Sequence, residues 1–259
     1  MELLSLWIGR HIVVLWASLL ILALLGGDLG WRLARRRRLA ATGRAGYLAL
    51  RPRGAAILTA VFGALFALLL WAVWAQTALV RFDAALAQAL HGRLPPAFMQ
   101  ALAIVTHLGR PALLAVAGAV VALWLALRRN WRLFVPWCVA LGGTAACGEA
   151  AKHFVKRTRP FDGHAFVVDT GYSFPSGHVS MSMVFFGMLA YLLLRHLPPR
   201  HHRDAVAAAV ALVVVVGISR LVLQAHYLSD VLAGYALGAC WLVIGVALAE
   251  LLRRGAQPR

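Results

Sequence analysis

The chain has 259 residues, 62% of them hydrophobic and only 14% charged, with a formal net charge of +17. Soluble domains run near ~45–50% apolar and ~25% charged, so the composition excludes one and fits a single polytopic membrane bundle. The positive charge reads as arginines that hold cytoplasmic loops against anionic headgroups, and no nucleic-acid partner is expected.

In chain order, the first apolar run covers residues 5–27 and is of spanning length. It exceeds the ~7–15-residue core of a secretory signal, and Arg35 to Arg38 follow as a stop-transfer block, so a retained helix is expected. Segment 32–53 carries eight arginines and reads as a topology anchor. A first unit over 1–53, an N-terminal transmembrane helix with a basic cytoplasmic loop, and a second over 54–259 are expected.

The second run spans 54–80, with Trp71 and Trp74 as interfacial aromatics. Over 81–110 the apolar pattern is interrupted by Asp83, Gln88, His91, Arg93, Pro95-Pro96, Gln100 and His107. Two short amphipathic helices on the membrane surface, joined by the prolines, are expected; Phe98, Leu102 and Val105 share a face of the second. Runs three to seven cover 111–127, 133–151, 178–194, 205–218 and 228–252. Gly142, Gly143 and Gly148 in the fourth permit close helix contact. Cys138, Cys147 and Cys240 lie inside apolar runs without metal or redox spacing and read as small buried packing residues.

Seven spans put 32–53, 128–132, 195–204 and 253–259 on one side, with eight, three, three and three arginines. By the positive-inside rule that side is cytoplasmic. Three polar clusters then face outward: Lys152 to Pro160, Pro175-Ser176-Gly177-His178, and Ser219-Arg220 followed by His226 and Asp230. In a bacterium this predicts a multi-pass protein of the inner membrane whose site opens toward the periplasm or exterior. Charges clustered at membrane depth mark a functional site.

Each cluster also has a plain reading: snorkelling anchors, a capped helix start, a polar pair stapling a helix end. Together they read as parts of a phosphate site. Lys152 and Arg159 are seven residues apart, so a continued helix would stack both cations on one face. Arg159 offers a planar fork for two phosphate oxygens and Lys152 a point charge, while Arg220 adds a third cation from another helix. Three cations can neutralise a phosphoryl transition state, and no carboxylate cluster or other metal site is present in the pattern. Ser176 is a natural N-cap, Gly177 allows close backbone approach, and the helix start favours an anion. His178 would give a proton to a leaving alkoxide. His226 and Asp230, four residues apart, would share a helix face and hydrogen-bond, leaving the second ring nitrogen free to attack.

The pattern Lys-x6-Arg-Pro, Pro-Ser-Gly-His, Ser-Arg-x5-His-x3-Asp resembles the three-part signature of the type 2 phosphatidic acid phosphatase superfamily, with every signature position present. The resemblance implies an all-α membrane bundle with a six-helix phosphatase core, here preceded by an extra N-terminal transmembrane helix. It implies a metal-independent, cofactor-free lipid phosphatase that works through a phosphohistidine. His226 would be the nucleophile, Asp230 its orienter and His178 the acid. Lys152, Arg159, Ser176, Gly177 and Arg220 would hold the phosphoryl oxygens. Substrates of that branch include phosphatidate, phosphatidylglycerol phosphate, undecaprenyl diphosphate and lipid A phosphate. A phosphotransferase on the same scaffold, or a lipid transporter or scramblase whose cations only recognise phosphate, are the rival readings. Membrane lipids are the expected surroundings, and the sequence sets no oligomeric state.

Overall fold

Long stretches rich in Leu, Ala and Val leave the backbone no water to bond, and a helix satisfies every internal N–H and C=O within itself. The computed structural model describes residues 2–40, 52–161 and 171–254, and all regular structure among these is helical. The helices are α1 (Glu2–Ala40), α2 (Pro52–Trp74), α3 (Ala78–Leu90), α4 (Pro96–Thr106), α5 (Pro111–Leu127), α6 (Trp131–Val155), α7 (Gly177–His196), α8 (His202–Val222) and α9 (Leu228–Arg254). Proline opens α2, α4 and α5, where its missing N–H costs nothing. Among the described residues, seven helical stretches are long and apolar enough to cross a membrane, matching the seven runs in the sequence. The protein is a multi-pass membrane protein.

Several boundaries differ from the sequence reading. The first helix continues through Ala40, past the arginines at 35–38. The second ends at Trp74, not at residue 80, because Gln76 turns the chain with φ 51° and Thr77 Oγ1 donates to the carbonyl of Ala72. Two short helices do occupy most of 81–110. Their apolar faces pack on α1 and α8 in a cluster that includes Ile12, Leu86, Leu90, Leu102, Ile218 and Val222. Through a 3-10 turn at His107–Gly109, α4 leads into α5, so that 96–127 forms one apolar span. Cys138 lies exposed on the outside of the bundle, contrary to its reading as buried. Arg44 and Arg51 of the basic block, residues 162–170 and the tail at 255–259 lie outside the described residues.

Helix α9 is the hub, packed on α2, α6 and α7, while α1 lies along α8 and α3. Glycines set the closest of these approaches. A Cβ at Gly238 would stand 2.6 Å from the carbonyl oxygen of Ser180, and one at Gly143 would run into the Trp241 ring. At one end of the bundle buried Glu250 accepts from Tyr191 Oη at 2.6 Å and from Arg253 at 2.8 Å, stapling α7 to α9. Near that end Asp28 pairs with Arg203 at 2.7 Å, fastening α1 to α8. The opposite end is where α6 and α8 finish and α7 and α9 begin.

Gly238→Ala forces backbone against backbone and is expected to cost about 1–3 kcal/mol, the usual range for overpacking. Gly142→Ala meets nothing within 4 Å and is expected to be neutral. Thermal melts of the two variants in detergent check the pair, with loss of stability at position 238 only.

Candidate active site

The second end of the bundle collects the eight residues read from the sequence as parts of a phosphate site. Helix α6 stops at Val155 because Lys156 adopts the left-handed region (φ 50°), and the chain then leaves the helix axis. The expected stack of Lys152 and Arg159 on one helix face is therefore not formed. Lys152 stays on the last turn of α6, where its Nζ bonds Glu149 at 3.2 Å. It borders the start of α7, since a Cβ at Gly177 would stand 3.8 Å from that Nζ. Arg159 instead lies beyond the helix and reaches inward. It donates from Nε to the carbonyl of Gly171 at 3.1 Å and from Nη1 to the carbonyl of Ala225 at 2.8 Å.

His226 and Asp230 also meet by a different route from the one expected. His226 precedes α9, in the turn that follows α8, and only Asp230 is on the helix. Asp230 is the third residue of α9, and its Oδ2 reaches back to accept the N–H of Tyr227 at 2.9 Å, as an acid at this position of a capped helix does. The same oxygen lies 3.6 Å from His226 Nδ1, an ion-pair distance just beyond hydrogen-bond range. On the far side of the ring Nε2 faces Arg159 Nη1 at 3.4 Å. A guanidinium only donates, so Nε2 carries the lone pair and the proton of the neutral ring sits on Nδ1, toward Asp230.

Ser176 precedes α7 but makes no side-chain cap, and its fully buried Oγ has no hydrogen-bond partner among the described residues. Its backbone N–H donates to the carbonyl of Asp230 at 3.0 Å, which pins the start of α7 to the start of α9. Gly234 makes this possible, because a Cβ there would stand 2.9 Å from the Ser176 carbonyl. Gly177 and His178 form the first turn of α7, and His178 is within coulombic range of His226 and Arg159. Arg220, on the last turn of α8, is fully buried and donates to Thr106 Oγ1 at 3.2 Å, within range of Arg159. All eight residues thus gather at one end, with two imidazoles, three cations, a helix start and an orphaned hydroxyl.

Three further residues share this end and were missed. Arg157, two places before Arg159, turns into the protein and donates from Nη1 to Asp230 Oδ1 at 2.7 Å and to Ser229 Oγ at 2.8 Å. Its Nη2 donates to Asp83 Oδ2 at 2.8 Å, and its guanidinium lies 4.0 Å over the Tyr227 ring. Asp83 also accepts the N–H of Ser229 at 3.1 Å and the Ser229 hydroxyl. The sequence held a signal for this. Asp83 sits at helical spacing in the stripe Leu79, Leu86, Leu90, where an acid among apolar residues demands a buried cation.

Burial weakens the charge of Arg157, but the carboxylates of Asp230 and Asp83 outweigh it and hold the guanidinium above its ordinary pKa. Burial pushes Asp83 above the usual carboxylate range against the pull of Ser229 and Arg157. For Arg159 burial lowers the pKa, with Asp230 opposing. His226 is lowered to about 4, first by burial and then by Arg220 and Arg159, with Asp230 opposing.

Comparisons with known proteins address the family and the fold. The PAP2 superfamily profile matches residues 133–254. Phosphatidylglycerophosphatase B of Bacillus subtilis is 29% identical over 199 residues, 74% of this chain and 96% of that protein. A crystal structure of a transmembrane PAP2-type phosphatidylglycerolphosphate phosphatase from Bacillus subtilis superposes with a TM-score of 0.66 at 26% identity, covering 78% of this chain and 98% of the other. The lipid A 1-phosphatase of Rhizobium johnstonii is 38% identical over 89 residues, 34% of this chain and 31% of its own length.

The chain belongs to the PAP2 superfamily. It is a membrane lipid phosphatase of that superfamily, and all eight residues of the signature lie inside the matched segment. Asp83 lies outside it.

A neutral His226 at pH 7 is a direct consequence of this PAP2 site. Titration of the His226 ring by NMR is expected to show a midpoint near 4, against about 6.5 for a free imidazole. Between those values the unfolded chain binds the extra proton, so folding stability rises with pH across that window. A midpoint at the free value would contradict the burial described here.

Proposed function

We propose that this PAP2 phosphatase removes the terminal phosphate of a lipid through a phosphohistidine formed on His226. The observation that carries the reading is the ring itself: Nδ1 faces Asp230 Oδ2 and the lone pair of Nε2 faces Arg159. A carboxylate that fixes the tautomer leaves the opposite nitrogen to attack, with a guanidinium beside it to receive the phosphoryl oxygens.

In the first step the Nε2 lone pair forms a bond to phosphorus while the bond to the lipid oxygen breaks. His178 passes its proton to the departing oxygen, and Asp230 steadies the charge that appears on the His226 ring. In the second step water attacks the phosphorus, His178 takes a proton from it, and the N–P bond breaks to return neutral His226 and inorganic phosphate. Lys152, Arg159 and Arg220 neutralise the equatorial oxygens. The backbone of Gly177 at the start of α7 and the orphaned hydroxyl of Ser176 supply donors to the same oxygens. Three positioned cations supply the charge that a metal would otherwise bring, so a chelator leaves turnover unchanged. Chelator-sensitive phosphate release from purified enzyme would overturn that part.

The relative matched over nearly its whole length supports phosphatidylglycerophosphate as substrate. The arginines at 32–38, 128–132, 195–203 and 253–254 all belong to the end away from the site, which supports a site opening at the outer face of a bacterial inner membrane.

Two measurements test this. His226→Ala is expected to fold and insert but to lose release of phosphate by roughly a thousandfold or more, the scale seen when a nucleophile is removed. Normal turnover in that variant ends the assignment. In mixed micelles, phosphatidylglycerophosphate is expected to be cleaved faster than lipid A 1-phosphate or an isoprenoid diphosphate, and the reverse order would move the substrate to another lipid class.

A further inference from the structure

We propose that Asp83, on α3, is a positioning residue for the reaction, holding Arg157 and the first turn of α9 so that Asp230 keeps one oxygen for His226. The proposal rests on the reading of His226 as nucleophile and Asp230 as its orienter.

Asp83 has two separate grips on Asp230. One is through the backbone: Asp83 Oδ1 accepts the N–H of Ser229, the residue next to Asp230, at 3.1 Å. That N–H belongs to the open first turn of α9, which has no carbonyl of its own helix to bond. The other is through charge: Asp83 Oδ2 takes Arg157 Nη2 at 2.8 Å while Arg157 Nη1 takes Asp230 Oδ1 at 2.7 Å. Ser229 Oγ bridges the two, donating to Asp83 and accepting from Arg157. All of this is dry: Asp83 and Asp230 side chains are 0% exposed and that of Arg157 is 6%.

The consequence for Asp230 is a division of labour between its oxygens. Oδ1 is committed to Arg157, leaving Oδ2 directed at the N–H of Tyr227 and at His226 Nδ1. Two carboxylates share one guanidinium, so the trio keeps one net negative charge beside a ring that becomes positive when it attacks. Without the charge of Asp83 the guanidinium would bear on Asp230 alone, and Asp230 would answer the His226 ring less strongly. The effect falls on the transition state and the phosphohistidine. Binding of the lipid phosphate runs through Lys152, Arg159 and Arg220 and is left alone.

Outer-shell partners of a metal-bound His typically contribute 10–100-fold, and a loss of about that size is expected in kcat for Asp83→Asn, with KM within about twofold. Rapid-quench trapping of acid-labile phosphoenzyme is expected to slow in proportion. In an Arg157→Gln background the same substitution is expected to add little, since its action runs through Arg157. A folded Asp83→Asn enzyme with normal kcat, or a loss that appears in KM, overturns the proposal. Should that variant not fold, Ser229→Ala keeps both charges and loses only the bridge. Reduced kcat at constant KM then supports the proposal, and full activity overturns it. His226→Ala separates the two assignments. If His226→Ala is inactive and Asp83→Asn is normal, only the role of Asp83 falls. If His226→Ala still turns over, the reading of the site falls as well.

Discussion

One buried guanidinium decides where the pieces of this site stand. Arg157 is held between the carboxylates of Asp83 and Asp230 at 2.8 and 2.7 Å. Moving such charges out of water costs several kcal/mol for each ion, and the cost is recovered only when every donor finds an acceptor in good geometry. Here the arginine has three side-chain acceptors, two of them carboxylates, and the face of Tyr227. Because the charges cannot tolerate separation, the segments that carry them are fixed together: α3, the chain leaving α6, and the start of α9. The N–H of Ser176 on the Asp230 carbonyl then adds the start of α7. Helix α1 supports the arrangement from outside, since Gly9 lets it press against the carbonyl of Ala89 on α3.

The bundle was legible because lipid imposes a simple rule. Each span must be a long apolar helix, so length and hydropathy alone locate seven of them. The ends were harder. Gln76 and Lys156 terminate helices by adopting positive φ, and neither residue type announces that choice in a sequence. That the charged clusters share one end of the bundle was legible for the same reason that the spans were: they fell at span ends that counting placed on one side. The internal geometry of the site was not. Helical spacing suggested that Lys152 with Arg159, and His226 with Asp230, would meet as neighbours on helix faces. In both cases one partner has left the helix: Lys152 and Arg159 do not stack, and His226 approaches Asp230 from a turn whose path depends on tertiary bonds, such as those of the Arg220 carbonyl to the N–H groups of Ala225 and His226. Asp83 went unrecognised because its partner is 74 positions away, and pattern reading along one helix does not see across the bundle.

Arg157 and Arg159 show how two cations two residues apart acquire different uses. Beyond Lys156 the chain leaves α6 without regular structure, and both side chains reach into the protein. Arg157 turns to the carboxylates, and its charge is matched within the protein. Arg159 turns toward His226, and its described hydrogen bonds run to the carbonyls of Gly171 and Ala225 and to the ring nitrogen. Those acceptors are neutral dipoles. A phosphate oxygen offers the same geometry with full negative charge, and charge-assisted bonds are about twice as strong as neutral ones. The left-handed turn at Lys156 therefore does more than end a helix. By taking the chain off the axis of α6 it lets Arg157 reach the two carboxylates at 2.7 and 2.8 Å and Arg159 the carbonyl of Ala225 at 2.8 Å.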